Sequence, residues 1–290
     1  MQVELLESSM PIPPSMVTQE ERGLHGVRTD ADEKVPSDEA LLMLRRGNER
    51  FVAGVPTAGK ISDAMREALV KHNQAPHSAI LGCADSRVPV DTVFDATPGE
   101  LFVLRNAGNT CTHAEGSIVG SLEFCTGKLG SKLILVLGHT QCGAIAGATE
   151  NHEKGATNAP GCALEGLLQG LAVVAKDASE QLGPHASQQE LVAHAVKVNV
   201  FRSMEFLLKF SEPLRELVRK GELDIQGGIY HLETGRVEFL GRSPRQAEVL
   251  LSNLSLPPSM ALGTIRTSQD EIVAPKLLAA WEPWMDGRMV

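Results

Sequence analysis

The segment KLILVLGHTQC (132–142) decides the architecture. Its five successive apolar residues, 133–137, do not fit a strand or helix with one face in water. They have the length of a buried strand that is apolar on both faces, as in a parallel sheet covered by helices. The run ends on a glycine and then His139, a residue able to bind metal. SAILGC (78–83) repeats the device and ends on Cys83. LFVLRN (101–106) reads as a third strand, and DIQGGIY (224–230) with RVEFL (236–240) as a closing, hairpin-like pair.

Helical patterns separate these strands over 114–129, 162–182, 188–210 and a shorter piece to Arg219. Ser37 is the expected N-cap of a first helix, with two acids behind it and an apolar face of Leu41, Leu44 and Phe51. The alternation predicts an α/β fold, a mostly parallel central sheet flanked by helices on both faces. Residues 1–36 read as an irregular N-terminal arm leading into that first helix, 37–255 as the α/β domain carrying the chemistry, and 256–290 as a C-terminal tail. Both tryptophans, Trp281 and Trp284, lie in that tail, where they suit an anchor docked on this chain or on a neighbouring subunit.

Composition excludes several functions. The 290 residues are 42% hydrophobic and 22% charged, ordinary for a soluble domain. Five cysteines are too sparse, and odd in number, for a disulfide scaffold; they suit a reducing compartment. A net charge of −9 and few aromatic rings argue against nucleic-acid binding. No apolar stretch approaches the roughly 20 residues of a membrane span. The start, MQVELLESSMPIPP, has neither the basic residues nor the apolar core of a leader, so the expected location is cytoplasmic, or an organelle lumen or stroma if a leader has been removed.

Open α/β sheets bind ligands beyond the carboxyl ends of their strands. Cys83 and His139 each end a strand, and Cys142 follows three residues later, at the start of a turn or helix. Two thiolates and an imidazole suit zinc, and three protein ligands leave a fourth tetrahedral position for water or substrate. A strand-end cysteine alone would more often be an inert core thiol. Here Asp85 and Arg87 alternate with Cys83, which in an extended segment puts all three on one face. Asp85 then reaches the metal or its water, and Arg87 holds the carboxylate off the metal, where it accepts a hydrogen bond from zinc-bound hydroxide. Two thiolates cancel the charge of the ion, so the water should be less acidic than at a site of three histidines, and activity should rise into the alkaline range.

Other zinc and nucleotide chemistries lack their signatures. There is no Pro-Cys-x-x-Cys of a deaminase, no Gly-x-Gly-x-x-Gly turn, no phosphate-binding loop of the Walker type and no Gly-x-Ser-x-Gly elbow. A hydroxide beside a carboxylate in a small, Gly-rich site suits attack on a compact electrophile.

CADSRVPVD (83–91), PGELFVLRNAGN (98–109) and LILVLGHTQCGA (133–144) together resemble the β-class carbonic anhydrases. The resemblance extends from about Leu41 to Leu240, some two thirds of the chain. It implies Cys83, His139 and Cys142 as ligands of one zinc ion per subunit, Asp85 with Arg87 as the catalytic dyad, and reversible hydration of CO2 to bicarbonate and a proton. It further implies Gln74 as a hydrogen-bonding partner of substrate, with Phe102, Ala107, Phe124 and Gly143 around a pocket shared between two subunits, hence a homodimer or a multiple of dimers. Ala84 stands where the family usually has Ser, and Phe124 replaces a frequent Tyr. Ile80 takes the place of the Trp of bicarbonate-inhibited members, which implies the constitutively open form. His113 and His152 are candidate proton shuttles. Two readings remain beside hydration of CO2: hydrolysis of COS or CS2 on the same scaffold, and a non-catalytic, zinc-holding assembly or binding subunit, against which the intact Asp85 and Arg87 argue. Cys111, Cys125 and Cys162 are expected to be free thiols.

Overall fold

The apolar run 133–137 lies at the centre of a five-stranded sheet. The computed structural model describes residues 26–59, 61–111, 116–155 and 163–252. Its strands are β1 (Ser78–Cys83), β2 (Leu101–Asn106), β3 (Leu133–His139), β4 (Asp224–Tyr230) and β5 (Val237–Gly241). They are ordered β2-β1-β3-β4-β5, all neighbours parallel except the antiparallel β4–β5 pair. Every residue of β1, β3 and β4 is buried, as their unbroken apolar runs require.

Alternate side chains of each strand feed two separate cores. Ala79, Leu81, Ile134, Val136 and Ile225 pack with Val200, Met204, Leu207 and Leu208 of helix α7 (Gln188–Phe210) and with Val119 and Leu122 of α4 (Ser117–Phe124). Ile80, Leu133, Leu135 and Leu137 pack on the other face with Ala40 and Leu44 of α1 (Ser37–Val52) and Val90 and Val93 of the single turn α3 (Val90–Val93). Each fully buried Val, Leu, Ile or Met side chain among them contributes about 1.5–3 kcal/mol of burial. A third cluster joins α5 (Gly143–Glu153), α6 (Ala163–Leu182) and the first half of α7, and takes in Cys83 and Cys142.

Some local expectations are corrected. Pro36, not Ser37, is the N-cap of α1: the proline is held at φ −58° and ψ 154°, outside the helix, and its carbonyl accepts the first turn's bond from the Ala40 N–H. The helix expected over 114–129 is α4 followed by a π turn at Cys125–Leu129, with Gly130 left-handed behind it. A helix α2 (Asp63–His72) that the sequence pattern did not announce buries only Met65 and Ala68, too little for a periodic signal. Residues 27–36, in the segment expected to be irregular, form no regular helix or strand, yet Val27, Arg28 and Thr29 are buried and Arg28 Nε donates to the Ala75 carbonyl at 3.2 Å. Residues 1–25, the tail with Trp281 and Trp284, His113 and Cys162 lie outside the described residues.

From β1 the chain steps to β2 on one side, and from β3 to β4 on the other. The strand order therefore reverses between β1 and β3, which is where open sheets form their ligand crevice.

Candidate metal centre

Cys83 is the last residue of β1 and His139 the last of the adjacent β3. Both project at the reversal point, and Cys142 joins them as the N-cap of α5. One ligand atom from each lies within 4.8 Å of the others, and all three residues are buried. The donors are poised for a cation. His139 Nδ1 lies 2.9 Å from the Thr140 carbonyl, so the Nδ1–H donates there and Nε2 carries the lone pair. Nε2 is buried without a hydrogen-bond partner among the described residues. An orphaned imidazole nitrogen facing two buried thiols is costly unless something occupies the space between them, and a zinc ion is what this donor set fits.

The two thiols titrate as a pair. Cys83 is drawn far below the ordinary thiol range, first by its hydrogen bond with Cys142 and then, against burial, by His139 and the N–H groups of Asp85 and Gly108. Cys142 is pushed up by that same bond to Cys83 and by burial. One proton leaves the pair easily and the other is retained until a positive charge replaces it. Gly108 has a role here: at φ 74° it takes a left-handed conformation that turns its N–H onto Cys83 Sγ at 3.3 Å. Asn199 of α7 fixes that turn through Nδ2, which donates to the Gly108 carbonyl at 2.8 Å.

Asp85 and Arg87 meet, though not by extended alternation. The strand stops at Cys83, and the chain turns, with the Val88 N–H bonded to the Asp85 carbonyl at 3.0 Å. Arg87 folds back on Asp85 across this turn: Nε donates to Oδ1 at 2.9 Å and Nη2 to Oδ2 at 2.6 Å. Asp85 Oδ2 is 3.9 Å from His139 Nε2, so the carboxylate lies beside the ligand cluster.

Arg105, which the sequence reading passed over, braces the same loop. Its Nε donates to the Cys83 carbonyl at 2.8 Å and its Nη2 to the Asp85 carbonyl at 2.6 Å. A charged residue near the carboxyl end of an otherwise apolar strand was the available signal. Gln141, Thr140 and Glu233 gave no such signal; Gln141 is left-handed, at φ 57°, between His139 and Cys142.

The expected pocket residues divide into two groups. Ala107 follows β2 directly and Gly143 opens α5, both exposed at the ligand end of the sheet. Gln74 is exposed on the loop before β1, at the opposite end from Cys83. Phe102 pairs in register with Ala79, about 13 Å along the strands from Cys83 and Asn106. Phe124 stands beside it, the ring centroids 6.3 Å apart, with half its surface exposed. His152 is exposed near the far end of α5, about 13 Å of helix rise from the Cys142 end. Cys111 and Cys125 are buried free thiols, pushed up by burial to about 12 and about 11.

The sequence profile of the carbonic anhydrase family matches residues 78–237. Over 198 residues the chain is 34% identical to carbonic anhydrase 2 of Mycobacterium tuberculosis, covering 67% of this chain and 87% of that one. It is 31% identical to the chloroplastic β carbonic anhydrase 5 of Arabidopsis thaliana, over 54% of this chain and 52% of that one. One of two tetrameric β-carbonic anhydrases solved from Sordaria macrospora superposes with a TM-score of 0.54 at 28% identity, covering 61% of this chain and 85% of that chain. A mostly parallel sheet with a Cys, His and Cys cluster at its reversal point thus belongs to the carbonic anhydrases. The chain is a member of the β class of that family, a carbonate dehydratase. Among the described residues no helix is long and apolar enough to cross a membrane.

Proposed function

We propose that this chain hydrates CO2 at a zinc ion, one per subunit, held by Cys83, His139 and Cys142. The observation that carries the reading is the orphaned His139 Nε2 facing two buried thiols, with Asp85 Oδ2 3.9 Å away. Zinc held by these donors would supply an activated water as nucleophile, less acidic than at a site of three histidines because the two thiolates cancel the charge of the ion. Asp85 accepts a hydrogen bond from the attacking water at Oδ2 and orients its lone pair toward CO2. Arg87 keeps that carboxylate ionised and directed, and Arg105 fixes the loop that carries both Cys83 and Asp85. Ala107 and the Gly143 N–H border the place where CO2 lies.

Gln74, Phe102 and Phe124 serve the site of a neighbouring subunit in this reading. Their position at the other end of β1 and β2, and the exposure of Gln74 and Phe124, support it. A homodimer, or a multiple of dimers, is therefore the working enzyme. The open form is the resting one in this reading, because Arg87 occupies both carboxylate oxygens of Asp85 and Ile80 stands where bicarbonate-inhibited members carry Trp.

Stopped-flow CO2 hydration with metal analysis tests the proposal. Zinc near one per chain, rapid hydration and its loss on chelation are the expected result. Full zinc without hydration would refute it, and COS or CS2 turnover by the same sample would assign the site to that chemistry instead.

A further inference from the structure

We infer that Glu233, in the turn between β4 and β5, is a positioning residue for the Asp85–Arg87 pair; this rests on the reaction proposed above. Gln141 is the only residue besides Thr140 between two ligands, and its backbone is left-handed, at φ 57°. A side chain other than glycine enters that region against steric resistance, so such a conformation persists only where its surroundings hold it.

Glu233 supplies the hold. Its Oε1 accepts from Gln141 Nε2 at 2.6 Å and its Oε2 from Thr140 Oγ1 at 3.3 Å, one oxygen for each of two consecutive residues. Thr140 is fastened to the same turn twice more: its Oγ1 accepts from the Leu232 N–H at 3.0 Å, and its own N–H donates to the Tyr230 carbonyl at 3.0 Å. The consequence reaches the reacting group. In its left-handed conformation Gln141 offers its carbonyl to Arg87 Nη2 at 3.2 Å, and that same nitrogen donates to Asp85 Oδ2 at 2.6 Å. A continuous line of hydrogen bonds therefore runs from Glu233 through Gln141 and Arg87 to Asp85. Without Glu233, Gln141 relaxes toward ordinary backbone angles and its carbonyl turns away. Arg87 then loses an anchor, and the Asp85 carboxylate gains freedom to move onto the metal.

The test uses the full-length holoenzyme, as zinc and as Co(II) forms. Glu233→Ala should lower kcat about tenfold with KM unchanged, the signature of an interaction that matters to the reacting geometry rather than to uniform binding. The visible spectrum of the Co(II) form should shift as Asp85 approaches the metal. Adding Gln141→Gly to Glu233→Ala should restore most of both, because glycine adopts the left-handed conformation without a brace. A Glu233→Ala enzyme with the wild-type kcat and Co(II) spectrum overturns the inference. So does any loss, of turnover, metal or folding, that Gln141→Gly leaves unrepaired. Were the unaltered protein unable to hydrate CO2, the reaction proposed above would fall, while the Co(II) spectra would still report on the brace.

Discussion

Arg87 holds Asp85 at three points: Nε and the backbone N–H both donate to Oδ1 at 2.9 Å, and Nη2 donates to Oδ2 at 2.6 Å. These bonds, the side-chain pair foremost, keep the Asp85 carboxyl well below the usual carboxylate range. Asp85 thus stays ionised wherever the enzyme works, and in the proposed reaction the acid limb of the rate profile belongs to another group.

Asp85→Asn preserves size and removes the charge. It also turns an amide nitrogen toward a guanidinium that has nothing to give it. Turnover should fall by about 10²–10³ with zinc content unchanged, the scale on which positioned proton-handling groups act. Arg87→Lys should lose a large part of the same factor, since an ammonium cannot match both carboxylate oxygens in one plane. Stopped-flow rates beside metal analysis check both, and an Asp85→Asn enzyme within threefold of the original would remove Asp85 from the reaction.

His77 predicts a pH dependence of stability. It is fully buried against Ser78, and burial, reinforced by the charge of Arg28, lowers its pKa to about 3. Between that value and the ordinary one near 6.5, the unfolded chain binds a proton that the native protein refuses. Stability is then lost as pH falls through this window, by up to about 1.4 kcal/mol per pH unit from this residue. Urea unfolding from pH 7 to pH 4 should show a shallower slope for His77→Gln than for the unaltered protein. Equal slopes would mean that His77 is not the titrating group.

The sheet and the cluster of Cys83, His139 and Cys142 were legible because each depends on local facts: an unbroken apolar run, a terminal Cys or His, a spacing of three. The pairing of Asp85 with Arg87 was also legible, but for a different geometric reason, since a turn and not strand alternation brings them together. Arg105 and Glu233 were not. Their partners are backbone and side-chain atoms 20 to 93 positions away, joined only once the strand order is known. The split of the pocket residues between the two ends of the sheet was hidden for the same reason: Gln74 is close to Cys83 in number, and a whole strand separates them.

Close approach of backbones sets a second kind of limit. A Cβ on Gly47 would lie 1.9 Å from the Phe94 carbonyl oxygen and 2.7 Å from its carbon, so α1 crosses the end of α3 only because this position is bare. Gly47→Ala forces the helix off the sheet face where Leu44 packs, and the next residue, Asn48, bonds the Val93 and Gly235 carbonyls. The expected cost is about 3 kcal/mol, read as a lower urea midpoint at unchanged slope. A midpoint equal to that of the unaltered protein would show that the crossing can open without loss.

The division of the pocket makes a sharper demand on the assembly. If Gln74 completes the site of a neighbouring subunit, two defective chains should repair each other. Gln74→Ala leaves a chain with a sound Asp85, and Asp85→Asn leaves one with a sound Gln74. In a mixed dimer, the first chain's metal centre meets the second chain's intact glutamine, and that site is whole. The opposite site carries both defects. Random pairing of coexpressed chains makes half the dimers mixed, so about a quarter of all sites should recover full turnover. If Gln74 acted within its own chain, every site would carry one defect or the other, and coexpression would give only the mean of the two parent activities. A mixture no more active than that mean, with mixed dimers verified by differential tags, assigns Gln74 to its own subunit or to none.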